Sequence, residues 1–254
     1  MTWRVLAFAG LSVLVGWLGT LAADPAPPAK GADPLWEKAV AMAGRMESLK
    51  VTPGRMDCRM VMKKKDGSVT DTAEASYKIL SEGDDTRTEI IQVTENGKDV
   101  THKAREEERK QAETAKKSKK DGEVSFSLEP TYHPFSPKSQ SKVTLQRVGE
   151  SRVGPLSAVL YSFRDGGAGE KGAMEGKAWL DPVTGVPLQV EAKPVKLPKH
   201  ADTMSLKVLF TLSPEGLWYA DRSEVNGSGG FLWIQRSVES RFTFSEYRKG
   251  AGGA

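Results

Sequence analysis

Lys177 to Glu191, Lys-Ala-Trp-Leu-Asp-Pro-Val-Thr-Gly-Val-Pro-Leu-Gln-Val-Glu, encodes two strands and the turn between them. Asp181-Pro182 opens the turn because proline presets φ at about −65°, and Gly185 can take the positive φ that a return bend needs. Trp179, Leu188 and Val190 supply the flanking strands, where aromatic and branched side chains fit a pleated surface. So short a connection joins antiparallel neighbours. The stretch therefore points to an antiparallel β-protein and away from a nucleotide-binding α/β fold.

The period of two extends over most of the chain. Met56, Cys58, Met60 and Met62 alternate with Arg55, Asp57, Arg59 and Val61, so a strand there has one apolar and one mostly charged face. Lys65-Asp66-Gly67 reads as a hairpin turn into a strand bearing Ala73, Ala75, Tyr77 and Ile79. Arg87 to Val93 is a third strand, ended by Asn96-Gly97. Further strands are expected over 142–148, 158–164, 173–180, 187–193, 204–211, 217–225, 231–236 and 238–247, with Asn226-Gly227-Ser228 as a glycine-rich turn. Met204, Leu206, Val208 and Phe210 share a face, as do Val143 with Leu145 and Phe242 with Phe244, which gives a sheet with one dry side.

One helix is expected ahead of the sheet. Asp33 caps it, Pro34 takes its first position, and Leu35, Ala39, Met42, Met46 and Leu49 form an apolar stripe that Trp36, Val40 and Ala43 widen, up to Pro53-Gly54. Around ten strands with one dry face must curl, and a single helix of about four turns looks too small to fill the concavity, so a groove is expected.

Residues 1–22 have the form of a secretory signal: Arg4, an apolar run from Val5 to Leu18, and Thr20 and Ala22 bracketing a cleavage point. An uncleaved membrane anchor is the alternative. No cysteine follows the run, so an exported product without a lipid anchor is expected. Residues 23–32 are a Pro/Ala-rich spacer, 33–248 a single β-domain, and 249–254 a flexible tail. Cys58 is the only cysteine, so stability must come from a packed core rather than an internal disulfide. A formal charge of +4 is too small a bias for a nucleic-acid footprint.

Residues 101–120 are dense in charge and offer only Ala104, Ala112 and Ala115 as apolar positions, which suits a solvated helical insertion. Its functional reading is a basic arm whose Lys116, Lys117, Lys119 and Lys120 meet anionic head groups. Gly167-Ala168-Gly169-Glu170-Lys171-Gly172 matches a dinucleotide fingerprint, but a strand follows it where a helix is required, so a loop is expected and no cofactor is implied. His102, His133 and His200 lack metal-ligand spacing, and Cys58 alternates with methionines as a core thiol would; no metal site and no catalytic residue is expected.

Taken together, the N-terminal segment, the single helix, the hairpin at 177–191, Pro214-Glu215-Gly216-Leu217-Trp218 and the closing strand Phe242 to Arg248 resemble the LolA-like group, the bacterial outer-membrane lipoprotein-sorting proteins and their relatives. The resemblance implies a mainly β, α+β fold: an incomplete antiparallel β-barrel with helices as a lid. It also implies an apolar interior that holds acyl chains in the periplasm. Met56, Met60, Met62, Leu206, Val208 and Phe210 are the candidate lining residues. The partners then expected of a non-catalytic, monomeric carrier are a lipid or acylated protein, an anionic membrane surface, and no nucleic acid. A self-filled barrel whose basic arm binds an acidic envelope protein is the alternative, and a hydrolase ranks last.

Overall fold

The computed structural model describes residues 33–82, 85–117, 130–166, 172–231 and 234–250. The signal-like segment, the spacer, most of the glycine-rich motif at 167–172 and the last four residues lie outside them. Helix α1 (Pro34–Ser48) precedes three strands, β1 (Arg55–Lys64), β2 (Val69–Glu82) and β3 (Asp85–Glu95). A two-residue strand β4 (Lys98–Asp99) leads into α2 (Thr101–Lys117), and a 3₁₀ turn (Pro137–Lys142) leads into β5 (Val143–Val153). Then follow β6 (Leu156–Asp165), β7 (Met174–Leu180), β8 (Pro187–Pro194), β9 (Ala201–Leu212), β10 (Trp218–Phe231) and β11 (Ile234–Ser245). All eleven form one antiparallel sheet in the order β4-β3-β2-β1-β11-β10-β9-β8-β7-β6-β5, open between β4 and β5. The expected class, mainly β with an incomplete antiparallel barrel, an N-terminal helix and a charged helical insertion, is the class observed.

The hairpin at 177–191 forms as its turn residues dictate. Asp181 Oδ1 accepts from the backbone N–H of Val183 (3.0 Å) and Thr184 (2.7 Å), and Asp181 N–H donates to the Val186 carbonyl at 2.9 Å. Gly185 has φ +74°, and a Cβ there would lie 2.8 Å from the Leu35 carbonyl oxygen. The turn thus sits directly against the first turn of α1, where Lys38 Nζ donates to the Val183 carbonyl at 3.1 Å.

Three expectations need correction. Asn226-Gly227-Ser228 is strand: β10 continues to Phe231, whose register partner is Ile234, the first residue of β11. The expected strands at 231–236 and 238–247 are accordingly one strand, β11. Strand pairing overrides the turn composition here because Val225 and the β9 partners Met204 and Leu206 keep the ladder in register. Helix α1 stops at Ser48 with Leu49 as its C-cap and Lys50 at φ 48°, ahead of Pro53-Gly54.

The apolar stripe of α1 is centred on Trp36, Ala39 and Ala43, with Leu35, Val40, Met42 and Met46 around it. Two alanines let the helix axis approach the sheet and drive the indole in between. Trp36 meets Phe135, Tyr161 and Phe163 with ring centroids 4.8, 5.6 and 6.3 Å away, and its Nε1 donates to Gln140 Oε1 at 3.0 Å. So the helix, expected to be too small for the concavity, closes one half of it, over β6, β7 and β8, with the aid of Phe135.

Candidate functional site: the concave face

Register places the inward residues of successive strands in transverse rows. One row reads Val93, Ala75, Cys58, Phe242, Ser223, Val208, Val190, Ala178, Tyr161, from β3 to β6, and every member is buried. The next reads Ala73, Met60, Ser240, Val225, Leu206, Ala192, Gly176, Phe163, Leu145. A third, nearer the end of the sheet, holds Met62, Val238, Gly227 and Met204, all half-buried. Each row lies two residues further along the strands, about 7 Å.

The six expected lining residues therefore share one face. Met56, Met60, Leu206 and Val208 are buried, whereas Met62 and Phe210 are half-buried. Met60 and Leu206 stand in one row but three strand steps apart, about 14 Å along the sheet, so β11 and β10 contribute the middle of the surface. Phe210 packs against both halves, its ring edge-on to Trp218 at 5.1 Å. Sequence reasoning missed Val225, Val238 and the two buried serines, Ser223 and Ser240, because they lie among glycines and charged residues where no alternation is visible.

This second half, built on β1, β2, β3, β9, β10 and β11, forms its own apolar cluster, against which Val100, Ala104 and Tyr132 pack. Helix α2 docks at the β3 edge through polar groups, having no apolar stripe to use. Thr101 Oγ1 accepts from Val93 N–H at 3.0 Å, and the Arg105 guanidinium donates to the carbonyls of Ile90 (2.9 and 3.1 Å) and Ile91 (3.1 Å). These bonds occupy main-chain acceptors that a free sheet edge would offer to another chain. Burial, and then the neighbouring Glu89, raises the pKa of Glu108 on the same helix. Lys116 and Lys117 fall at the end of α2, and Lys119 and Lys120 lie outside the described residues.

Burial holds two ionisable groups on the concave side neutral. Burial pushes the Cys58 thiol up to about 12, so it stays protonated and unreactive at neutral pH. It likewise pushes the half-buried His133 imidazole down to about 4, where its ring meets Trp218 edge-on at 4.9 Å. Among the described residues no group of three or more His, Cys, Asp or Glu side chains could hold a metal ion.

The opposite face is wet and self-paired. A polar depression of about 270 Å³ lies over Asp57, Arg59, Glu74, Ser76 and Arg241. Its charges engage one another: Arg55 with Asp57 at 2.9 Å, Arg59 with Glu74 at 3.6 Å and Arg241 with Glu224 at 3.1 Å. Such exposed pairs contribute little to stability and leave no charge waiting for a ligand. The apolar rows are the more distinctive surface.

The fold and this surface define an open antiparallel sheet wrapped partly around a helix, with one dry concave face. Neither a family model nor a curated protein matches the chain. Among solved structures, it is similar to a domain named for outer membrane lipoprotein sorting from Vibrio parahaemolyticus. That likeness has 14% identity and a TM-score of 0.39, covering 86% of this chain and 95% of that one. A DUF1329 family protein from Desulfovibrio piger is 12% identical at a TM-score of 0.38, covering 88% and 96%. The Pseudomonas aeruginosa MucA/MucB complex matches at 12% identity and a TM-score of 0.23, covering 86% and 98%. Likeness this distant assigns no function. Among the described residues no helix is long and apolar enough to cross a membrane.

Proposed function

We propose that the protein is an exported, periplasmic carrier that shelters a lipid, or the acyl chain of a lipidated protein, on the concave face of its sheet, by burial and without bond-making. One observation carries this reading: the apolar rows run on beyond the β6–β8 half that α1 covers, and among the described residues they end in apolar side chains that are only half-buried. The other half grades outward from buried Met60 and Leu206 to half-buried Met62, Met204, Val225 and Val238, which would receive the chain first. Each acyl CH₂ taken out of water contributes about 0.8 kcal/mol, so a few methylenes suffice for useful affinity. Lys116 and Lys117, which end α2, would supply cationic charge for the head group's anion.

The test is direct binding of a fluorescent acyl probe, alongside mass spectrometry of lipid that leaves the purified chain on extraction. Met62→Lys puts a charge at the half-buried end of the rows and should weaken probe binding about tenfold or more, because the ligand must then desolvate an ammonium. Its melting temperature should change by only a few degrees, since Met62 is not part of the buried cores. Unchanged probe affinity in this variant would contradict the reading.

A further inference from the structure

Ser223 is 1% exposed, and its Oγ has no hydrogen-bond partner. The residue lies in the middle of the concave face, opposite Val208 on one side and Phe242 on the other. An alanine would fill the same place without the cost of an unpaired buried hydroxyl. Ser240 is a second buried serine on this face. It stands beside Met60 and Val225, diagonally adjacent to Ser223 across the β10–β11 pair. Among the described residues the other buried polar side chain is Gln189, which lies elsewhere and whose Nε2 donates to Glu191 Oε1. Another orphan donor on this side among the described residues, Trp218 Nε1, belongs to a ring boxed in by His133, Phe135 and Phe210 in the half that α1 closes.

We infer that Ser223 Oγ is the hydrogen-bond donor for a carbonyl oxygen in the buried part of the ligand, so that the site takes acyl esters in preference to plain hydrocarbon. This rests on the carrier reading and adds the ligand's chemical class to it. The hydroxyl lies two rows inward from the Met62–Met204 end, about 13 Å along the strands. At that depth water is excluded, and a carbonyl is desolvated unless the protein supplies a donor. Ser223 supplies it, and the surrounding Val208, Phe242 and Leu206 contact the chain on either side. Because Ser223 is buried, binding there exchanges an unpaired donor for a paired one.

The experiment compares methyl decanoate with dodecane as competitors of an acyl probe on the full mature protein. Wild type should bind the ester more tightly, and Ser223→Ala should weaken the ester roughly fivefold to tenfold while leaving dodecane unchanged. Ser223→Thr keeps the hydroxyl and should restore most of the ester preference. The alanine variant should melt no lower than wild type, because it removes an orphan. If the ester and the alkane compete equally, or Ser223→Ala weakens both alike, the proposal is overturned while the carrier reading stands. If neither competes and the probe itself fails to bind, the carrier reading falls and takes the proposal with it.

Discussion

Replacing Trp36 with alanine should lower the stability of the fold by about 3–5 kcal/mol, and so its melting temperature by about 10 °C or more. Trp36 is 1% exposed and is the one aromatic by which α1 reaches the sheet; Phe135, Tyr161 and Phe163 all pack on its ring. Removing it leaves a cavity between a helix and three strands, and it orphans the Gln140 side-chain oxygen that Nε1 now satisfies. Trp36→Phe keeps most of the apolar volume and loses the hydrogen bond, so its cost should be about 1–2 kcal/mol. Thermal or urea unfolding reads both. A loss below about 1 kcal/mol for Trp36→Ala would show that α1 does not hold the closed half of the concavity.

Asp33→Ala should cost about 2–3 kcal/mol, a large effect for a residue at the boundary of the fold. Its carboxylate joins three elements. Oδ1 accepts from Leu35 N–H at 3.0 Å and from the Tyr161 hydroxyl at 2.6 Å, and Oδ2 accepts from Arg147 Nη1 at 3.0 Å. Burial pushes this carboxyl's pKa up, but the hydrogen bonds from Tyr161, Leu35 and Arg147 together outweigh it, and the net position is below the usual aspartate value of 3.8. A pKa depressed in the folded state means that the unfolded chain binds the proton more readily. The contribution is therefore complete above pH 3.8 and is lost as the pH falls through the lower folded value. Wild type and Asp33→Asn should converge in stability at the acid end of that window and separate above it. Parallel curves over the whole range would refute the role given to the charge.

How far the sequence reaches depends on what kind of physics fixes each feature. The hairpin at 177–191 is legible because its turn is set by local chemistry: a proline, an aspartate that caps, and a glycine at positive φ. The start of α1 is legible for the same reason, since Asp33 and Pro34 act within one turn. The inward rows are partly legible through alternation, which placed Met56, Met60, Leu206 and Val208 on one face. Glycine at 227, 229 and 230 was misleading, because a paired strand next to β9 and β11 tolerates residues that an isolated segment would use to turn. The fit of α1 into the concavity was illegible. It depends on Phe135, which arrives from outside any periodic element, and on how closely Ala39 and Ala43 let the helix approach. Ser223 could not be distinguished from any other strand serine either, since only the register shows that its neighbours are Val208 and Phe242.

The most direct test is photo-crosslinking of the purified protein with a long-chain fatty acid carrying a diazirine on the chain, followed by peptide mapping. The carrier account predicts adducts on the inward residues of β1, β9, β10 and β11, with Met62, Met204, Val225 and Val238 foremost, and their suppression by excess unlabelled fatty ester. Adducts confined to the polar face around Arg59 and Arg241, or labelling that excess ester does not suppress, would contradict it.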